Sequence, residues 1–140
     1  MQATDKLAEL IRTKYQVLVQ LRDIGRRQTD LVRSGEIAAL LTLLASKQTL
    51  IVALQDLEKA LKPFYAQNPD ARVWRSPADR ALCAQQAEQC NSLLEEIVSL
   101  EKLGAEQMDA RKNEVAEQLQ QVHAAAHVRN AYQAQRRTPA

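Results

Sequence analysis

Glycine, proline, cysteine and aromatic residues are all scarce in this chain. Its 140 residues include three Gly, four Pro, two Cys, one Trp, one Phe and three Tyr. With so few large side chains, a single domain would build its core mostly from Leu, Ile, Val and Ala. The sequence also lacks a glycine-rich phosphate loop, a serine elbow between glycines, HExxH and CxxC. These motifs concentrate much of enzyme chemistry, so we predict no enzyme activity and no cofactor.

A signal peptide and an uninterrupted apolar run of membrane length are missing from the sequence. A membrane span needs about 18 apolar residues, and residues 1–12 lack a basic start followed by an apolar segment. We therefore expect a cytoplasmic protein with no membrane insertion. Cys83 and Cys90 lie seven residues apart, which is about 10.5 Å along a helix and beyond disulfide reach. We interpret them as reduced, buried and inert.

The charges are nearly balanced and do not predict a nucleic-acid partner. Nineteen Lys and Arg stand against 17 Asp and Glu, a net charge of +2, and the basic residues near the C-terminus have no interleaved aromatics. His123 and His127 have the spacing of a helical metal pair, but no clear third ligand lies nearby. We therefore predict two ordinary surface histidines and no metal site.

Apolar residues recur at helical spacing between residues 34 and 62 and form a face wide enough to need two partner helices. A first helix over 4–33, capped by Thr4 or Asp5, is expected to stop at Gly35. The second helix, over 36–62, follows so closely that the two are expected to be antiparallel neighbours. Leu44 and Ile51, at the centre of the face, are predicted to be buried between helices one and three.

A loop over residues 63–76 separates the second helix from the third. Pro63 is expected to end or kink the second helix. Ser76 as cap, Pro77 at the first helical position and Asp79 in the first turn predict the start of the third. We expect the large side chains of the loop to plug the end of the bundle, with Trp74 as the main plug and Phe64, Tyr65 and Val73 beside it.

The third helix is predicted over residues 77–132, followed by a disordered tail over 133–140. Its first half carries a seam that includes Cys83, Cys90 and Ile97, and residues 101–114 interrupt that seam at a plausible place to bend. A second apolar series, with no obvious partner in its own chain, follows. It either packs on the far end of the first two helices or stands free to bind another chain. Its members are Val115, Leu119, Val122, Ala126 and Tyr132.

The whole chain is thus predicted to be one all-α domain, an antiparallel three-helix bundle or coiled coil with a long C-terminal helix. The turn Ser-Gly-Glu followed by IAALLTLLASKQTLIVALQDLE resembles the second helix of the FlgN-type flagellar export chaperones. CNSLLEEIVSLEKLGAEQM and VHAAAHVRNAY in the third helix extend the resemblance over residues 5–132. The related chaperone of the filament cap is the alternative within the same class.

The resemblance implies a cytoplasmic chaperone of type III secretion, in bacterial flagellum biogenesis. Its partners would be hook-associated proteins of the hook–filament junction, bound by their C-terminal amphipathic helices and kept unpolymerised until secretion, and the export gate. The client-binding region of the family falls on the distal half of the third helix, and Tyr132 matches a C-terminal tyrosine implicated in transfer to the gate. A self-assembling coiled-coil structural or adaptor protein is the alternative function, and a homodimer stays open.

Overall fold

The computed structural model describes residues 2–137, without the side chains of residues 130 and 132–137. Every regular element in this part of the chain is helical. Three long helices, α1 (Ala3–Ser34), α2 (Ile37–Tyr65) and α3 (Pro77–Arg137), are joined by a two-residue turn and by a loop that contains a short 3-10 helix, Pro69–Ala71. The predicted all-α class with three helices is confirmed.

The chain divides into two compact units, Met1–Gly104 and Ala105–Ala140. The first unit contains α1, α2, the loop and the beginning of α3, and it holds the helical bundle. The second unit contains the rest of α3.

Gly35 forms the turn between α1 and α2, as predicted. Its φ of 74° lies in the left-handed region, which glycine adopts without a Cβ clash. Its N–H donates to the carbonyl of Leu31 at 3.0 Å and also to that of Val32. These bonds satisfy carbonyls that the end of α1 would otherwise leave open. The turn is therefore compact enough to place Leu31 and Val32 beside Leu40.

The start of α1 differs from the prediction. The helix begins at Ala3 with Gln2 as its cap residue, and the N–H of Gln2 donates to Oδ2 of Asp5 at 3.1 Å. Thr4 is buried, and its hydroxyl donates to the carbonyl of Val73 at 2.7 Å. Thr4 is therefore unavailable as a cap because it joins α1 to the loop, while Asp5 places its negative charge in the first turn.

The core of the first unit forms three clusters of buried side chains along the bundle. The loop end joins Leu7, Ile11, Leu61 and Cys83, and the turn end joins Leu31, Val32 and Leu40. Between them, the middle cluster contains residues from α1 and α3, with α2 residues packed against it. Its buried members are Val17, Leu18, Leu21, Cys90 and Leu93. Cys90, together with Ile97 packed against this cluster, confirms the seam predicted for the first half of α3.

Two polar residues on the core face of α1 find partners from other helices. Lys14 is buried, and its Nζ lies 2.6 Å from Oε1 of Glu58 and 3.4 Å from the hydroxyl of Tyr65. Gln28 accepts a hydrogen bond from Nζ of Lys47 at 3.1 Å, and Lys47 also pairs with Glu101. Glu101 begins the stretch that was predicted to interrupt the α3 seam. It nevertheless contributes to packing, because its carboxylate pairs with Lys47 of α2.

The second helix passes through Pro63 and ends at Tyr65, so the prediction that it ends at residue 62 is wrong. Proline removes one backbone donor, but at this position only the last turn is affected. The carbonyl of Phe64 accepts from N of Gln67 at 3.2 Å and from Nη2 of Arg72 at 2.6 Å. These bonds hold the end of the helix after the proline.

The start of α3 is confirmed, whereas its end lies beyond the prediction. The hydroxyl of Ser76 accepts from N of Asp79 at 3.1 Å, so Ser76 caps the helix and Pro77 takes its first position. The helix continues to Arg137, and residues 133–137 are therefore helical instead of disordered. Ala, Gln and Arg in this stretch favour the helix. Residues 138–140 lie outside the described part of the chain.

Much of the apolar face of α2 is less buried than predicted. Leu44 and Ile51 pack against core clusters but are only half-buried, and Ile37, Leu41 and Val52 are exposed. The face is wider than the surfaces that α1 and α3 bring against it. Leu40 and Leu61 are the buried residues of this helix.

The composition of α2 also corrects the expectation that no segment reaches membrane length and hydropathy. An 18-residue window of α2 has a mean hydropathy of 1.9, and 6% of that window is buried. Its Thr and Ser residues break the apolar run but lower the average less than charges would. Length and composition alone therefore do not exclude a membrane span for this helix.

Candidate functional site

The distal half of α3 presents an apolar stripe, as the sequence predicted, and its large aliphatic members are exposed. Val115 is 47% exposed, Leu119 65% and Val122 67%. Their spacing of four and three residues places them on one face of the helix, with the half-buried Ala126 one turn further on. We call Val115, Leu119, Val122 and Ala126 the distal stripe.

The helix holds these four side chains in a fixed order because its sequence favours helix at nearly every position. Residues 105–137 contain no glycine or proline and are rich in Ala, Gln, Glu and Arg. Consecutive stripe residues are therefore about 4.5–6 Å apart along the axis. A complementary helix with apolar residues at the same spacing could pack along the stripe.

Charge is almost absent from the segment that carries the distal stripe. Between residues 115 and 126 the one ionisable acid is Glu117, and no Lys or Arg occurs. Glu117 lies about 160° around the helix from Leu119 because two residues correspond to 200° of rotation. The stripe therefore offers apolar contact without an adjacent ion pair to steer a partner.

Tyr132 was predicted to belong to the same site. Its backbone lies within α3, but its side chain lies outside the described part of the structure. Val128 is 67% exposed, yet its position on the helix is far from the stripe, about 120° from Val122 and 160° from Ala126. Val128 therefore does not extend the distal stripe.

A second exposed apolar surface, on α2, was missed at the sequence level. Ile37 is 57% exposed, Leu41 62% and Val52 46%, and Ala38 and Ala45 are exposed beside them. The signal in the sequence is the width of the apolar face, which exceeds what two neighbouring helices can cover. Burial of this face was predicted instead.

The two cysteines are free and buried, as predicted. Burial raises the pKa of both thiols above their usual range; Arg72 acts in the opposite direction on Cys83, and Lys14 does so on Cys90. A neutral buried thiol is a poor nucleophile and a poor metal ligand. Cys90 donates instead to the carbonyl of Ile11, with a sulfur–oxygen distance of 3.9 Å.

The two histidines lie in the second unit. His123 and His127 are exposed, and within residues 2–137 no three His, Cys, Asp or Glu residues come together as a metal site would require.

At the loop, Phe64 and Trp74 pack against the core as predicted. The side chains of Tyr65 and Val73 are 53% and 68% exposed, so they are not buried in the plug as predicted.

Comparisons with known proteins do not decide the family. No protein-family model, no curated protein and no solved structure matches the chain. The resemblance to FlgN-type chaperones thus stays a prediction that rests on the residues quoted above. The distal stripe and the exposed surface of α2 are the candidate interaction sites.

Proposed function

We propose that this protein is a cytoplasmic export chaperone of the FlgN type. It binds the C-terminal amphipathic helix of a hook–filament junction protein and keeps that client unpolymerised until it reaches the type III export gate. The observation that carries the proposal is the exposure of Val115, Leu119 and Val122 on one face of α3. An apolar helical face of this kind fits the apolar face of a second helix.

The energy available from the distal stripe is suited to reversible binding. Burying an aliphatic side chain fully contributes about 1.5–3 kcal/mol, and these residues are already partly covered. Ordering a client segment costs roughly 2–5 kcal/mol of the gross interaction energy. Contacts to three or four stripe residues therefore leave a moderate net affinity, which permits release at the gate.

In this proposal the three helices of the first unit form an antiparallel bundle. Two polar contacts between α1 and α2 favour this arrangement: Lys14 meets Glu58, whereas Gln28, later in α1, meets Lys47, earlier in α2. In antiparallel neighbours, a residue later in one helix contacts a residue earlier in the other. The core clusters show the same pattern. Late α1 residues pack with early α2 residues at the turn, and early α1 residues pack with late α2 residues near the loop.

The test is capture of a client helix by two double variants. Leu119→Asp with Val122→Asp places two charges on the distal stripe, and we expect it to abolish binding of a peptide with the C-terminal helix of a junction protein. Gln120→Asp with Gln121→Asp adds the same charge away from the stripe and should bind like the unmodified protein. Calorimetry measures binding, and circular dichroism follows the melting temperature.

Both variants should keep nearly the same melting temperature, because the substituted residues lie outside the core of the first unit. Retained binding by the stripe variant would contradict the proposal. Equal loss of binding in both variants would also contradict it, since the effect would then follow charge and not the stripe.

A self-assembling structural or adaptor protein is the second candidate function, favoured by the exposed apolar side chains of α2. If it is correct, Leu41→Asp with Val52→Asp should reduce the molecular mass seen in sedimentation, whereas the distal variant should leave it unchanged. The chaperone proposal expects the loss of client binding to follow the distal variant alone.

The proposed cytoplasmic location is supported by the ionic contacts of α2. Lys47 lies near the middle of this helix and pairs with Glu101, an arrangement suited to an aqueous bundle. Cell fractionation at physiological salt should place the protein in the soluble fraction. Recovery only with detergent would favour membrane insertion through α2.

A further inference from the structure

Arg72 lies at the loop end of the first unit, and only part of its guanidinium is hydrogen-bonded. Its Nη2 donates to the carbonyl of Phe64 at 2.6 Å. Its Nε is shielded from solvent and has no hydrogen-bond partner among residues 2–137. Within the same part of the chain, none of the ion pairs includes Arg72.

An arginine in this position carries a positive charge that needs a partner. Arginine is a cation, and a half-buried cation without an opposite charge nearby is costly. Cys83 cannot balance the charge, because burial raises the pKa of its thiol despite the opposing effect of Arg72. An anion supplied from outside the described chain would satisfy it.

Two cavities are lined by both Arg72 and Leu7. The larger, about 540 Å³, is lined by residues from the start of α1, the end of α2 and the loop, among them the apolar Phe64, Ala71 and Val73 and the polar Gln2, Thr4, Gln67 and Asn68. The smaller, about 260 Å³, also touches Trp74 and Arg80. No Asp or Glu lines either cavity. The larger one has the volume of a small-molecule site, which is roughly 300–1,000 Å³.

We propose that this end of the first unit binds a small amphiphilic carboxylate, such as a medium-chain fatty acid. The carboxylate accepts hydrogen bonds from the terminal N–H groups of Arg72 that the carbonyl of Phe64 leaves free, and its charge offsets that of the guanidinium. The alkyl chain lies in the larger cavity against Leu7, Phe64 and Val73. The site is separate from the distal stripe and does not depend on the proposed chaperone function.

The test compares decanoate, below its micelle concentration, with the uncharged decan-1-ol. Trp74 is the single tryptophan and lies beside Arg72 in the smaller cavity, so its fluorescence reports binding, with calorimetry as a second measurement. We expect saturable binding in which decanoate is at least tenfold tighter than decan-1-ol. Arg72→Gln should remove this difference and leave weak binding of both compounds.

Two further variants separate charge from cavity. Arg12→Gln removes the same charge at an exposed residue that lines neither cavity, and it should keep the preference for decanoate. Ala71→Phe fills the larger cavity while keeping Arg72, and it should abolish binding of both compounds. The affinities of the unmodified protein for decanoate and decan-1-ol test the proposal even if a variant fails to fold.

Several results would overturn the proposal: no saturable binding, equal affinities of the unmodified protein for the two compounds, or unchanged binding in Ala71→Phe. A preference for decanoate that persists in Arg72→Gln, or that disappears equally in Arg12→Gln, would assign the effect to net charge instead of to this guanidinium.

Discussion

Gly25 of α1 lies directly against Leu100 of α3. A Cβ placed on Gly25 would be 3.1 Å from Cδ1 and 3.3 Å from Cβ of Leu100. The Cδ1 atom belongs to a flexible side chain, but the Cβ atom is fixed to the backbone of α3. The two helices therefore approach here more closely than a larger residue at position 25 would permit.

Enlarging residue 25 should thus destabilise the first unit. We expect Gly25→Val to lower the free energy of unfolding by about 1–3 kcal/mol, because overpacking forces the helices apart. In Gly104→Ala the added methyl would meet only Nε2 of Gln28 at 3.4 Å. That control should gain roughly 0.4–1 kcal/mol from reduced backbone freedom of the unfolded chain. Urea denaturation measures both, and a stable Gly25→Val variant would show that α1 and α3 separate easily.

The difference between fully and partly buried leucines gives a second prediction. Leu18 is 0% exposed, and Leu18→Ala should cost ~2–5 kcal/mol of unfolding free energy. Leu44 is only half-buried, so Leu44→Ala should cost about 1–2 kcal/mol. Equal losses in chemical denaturation would mean that Leu44 is more enclosed in solution than in this structure.

The pair formed by Lys14 and Glu58 predicts a stability change at alkaline pH. Burial acts to lower the pKa of Lys14, but its hydrogen bond to Glu58 and its interactions with Tyr65 together raise that pKa above the usual value. A raised pKa contributes stability that is fully present below the unfolded-state value of about 10.4 and is lost as the pH rises through the folded-state value.

Urea denaturation between pH 8 and pH 11.5 measures this contribution. The unmodified protein should lose stability above about pH 10.4 more steeply than Lys14→Met, because only the unmodified protein has this proton to lose. Parallel curves for the two proteins would show that the pair contributes no pH dependence.

The buried cysteines provide a fourth prediction, on reactivity. Because burial raises the pKa of both thiols, Cys83 and Cys90 should react with a thiol reagent at pH 8 only when the chain unfolds. Replacement of both by Ala should leave client binding intact and cost some packing energy. Rapid labelling of the folded protein would mean that the seam of α3 opens readily.

Local signals predicted the helices well because each rests on a few neighbouring residues. Gly35 ends α1 by its own left-handed backbone, and Ser76 caps α3 with its own hydroxyl. The exposure of Leu41 could not be predicted in this way. It depends on how far α1 and α3 reach around α2, and the apolar pattern of a single helix is the same whether its face is covered or not.

The candidate sites, too, were predictable where they depend on local spacing and unpredictable where they depend on contacts between distant residues. The spacing of Val115, Leu119 and Val122 predicted a common apolar face but left open whether that face is covered, and the three side chains are exposed in the structure. The environment of Arg72 could not be inferred, because it arises where the start of α1, the end of α2 and the loop come together. Contacts such as Thr4 to Val73 join residues 69 positions apart.

The division of the core into clusters also bears on the order in which the chain assembles during synthesis. The cluster at the turn contains only residues 31–44, whereas the middle and loop-end clusters need Cys83, Cys90 or Leu93. Contacts close in sequence cost less loop entropy and form sooner. The turn end can therefore become structured while α3 is still inside the ribosome, and the rest of the core must wait until about residue 93 has emerged.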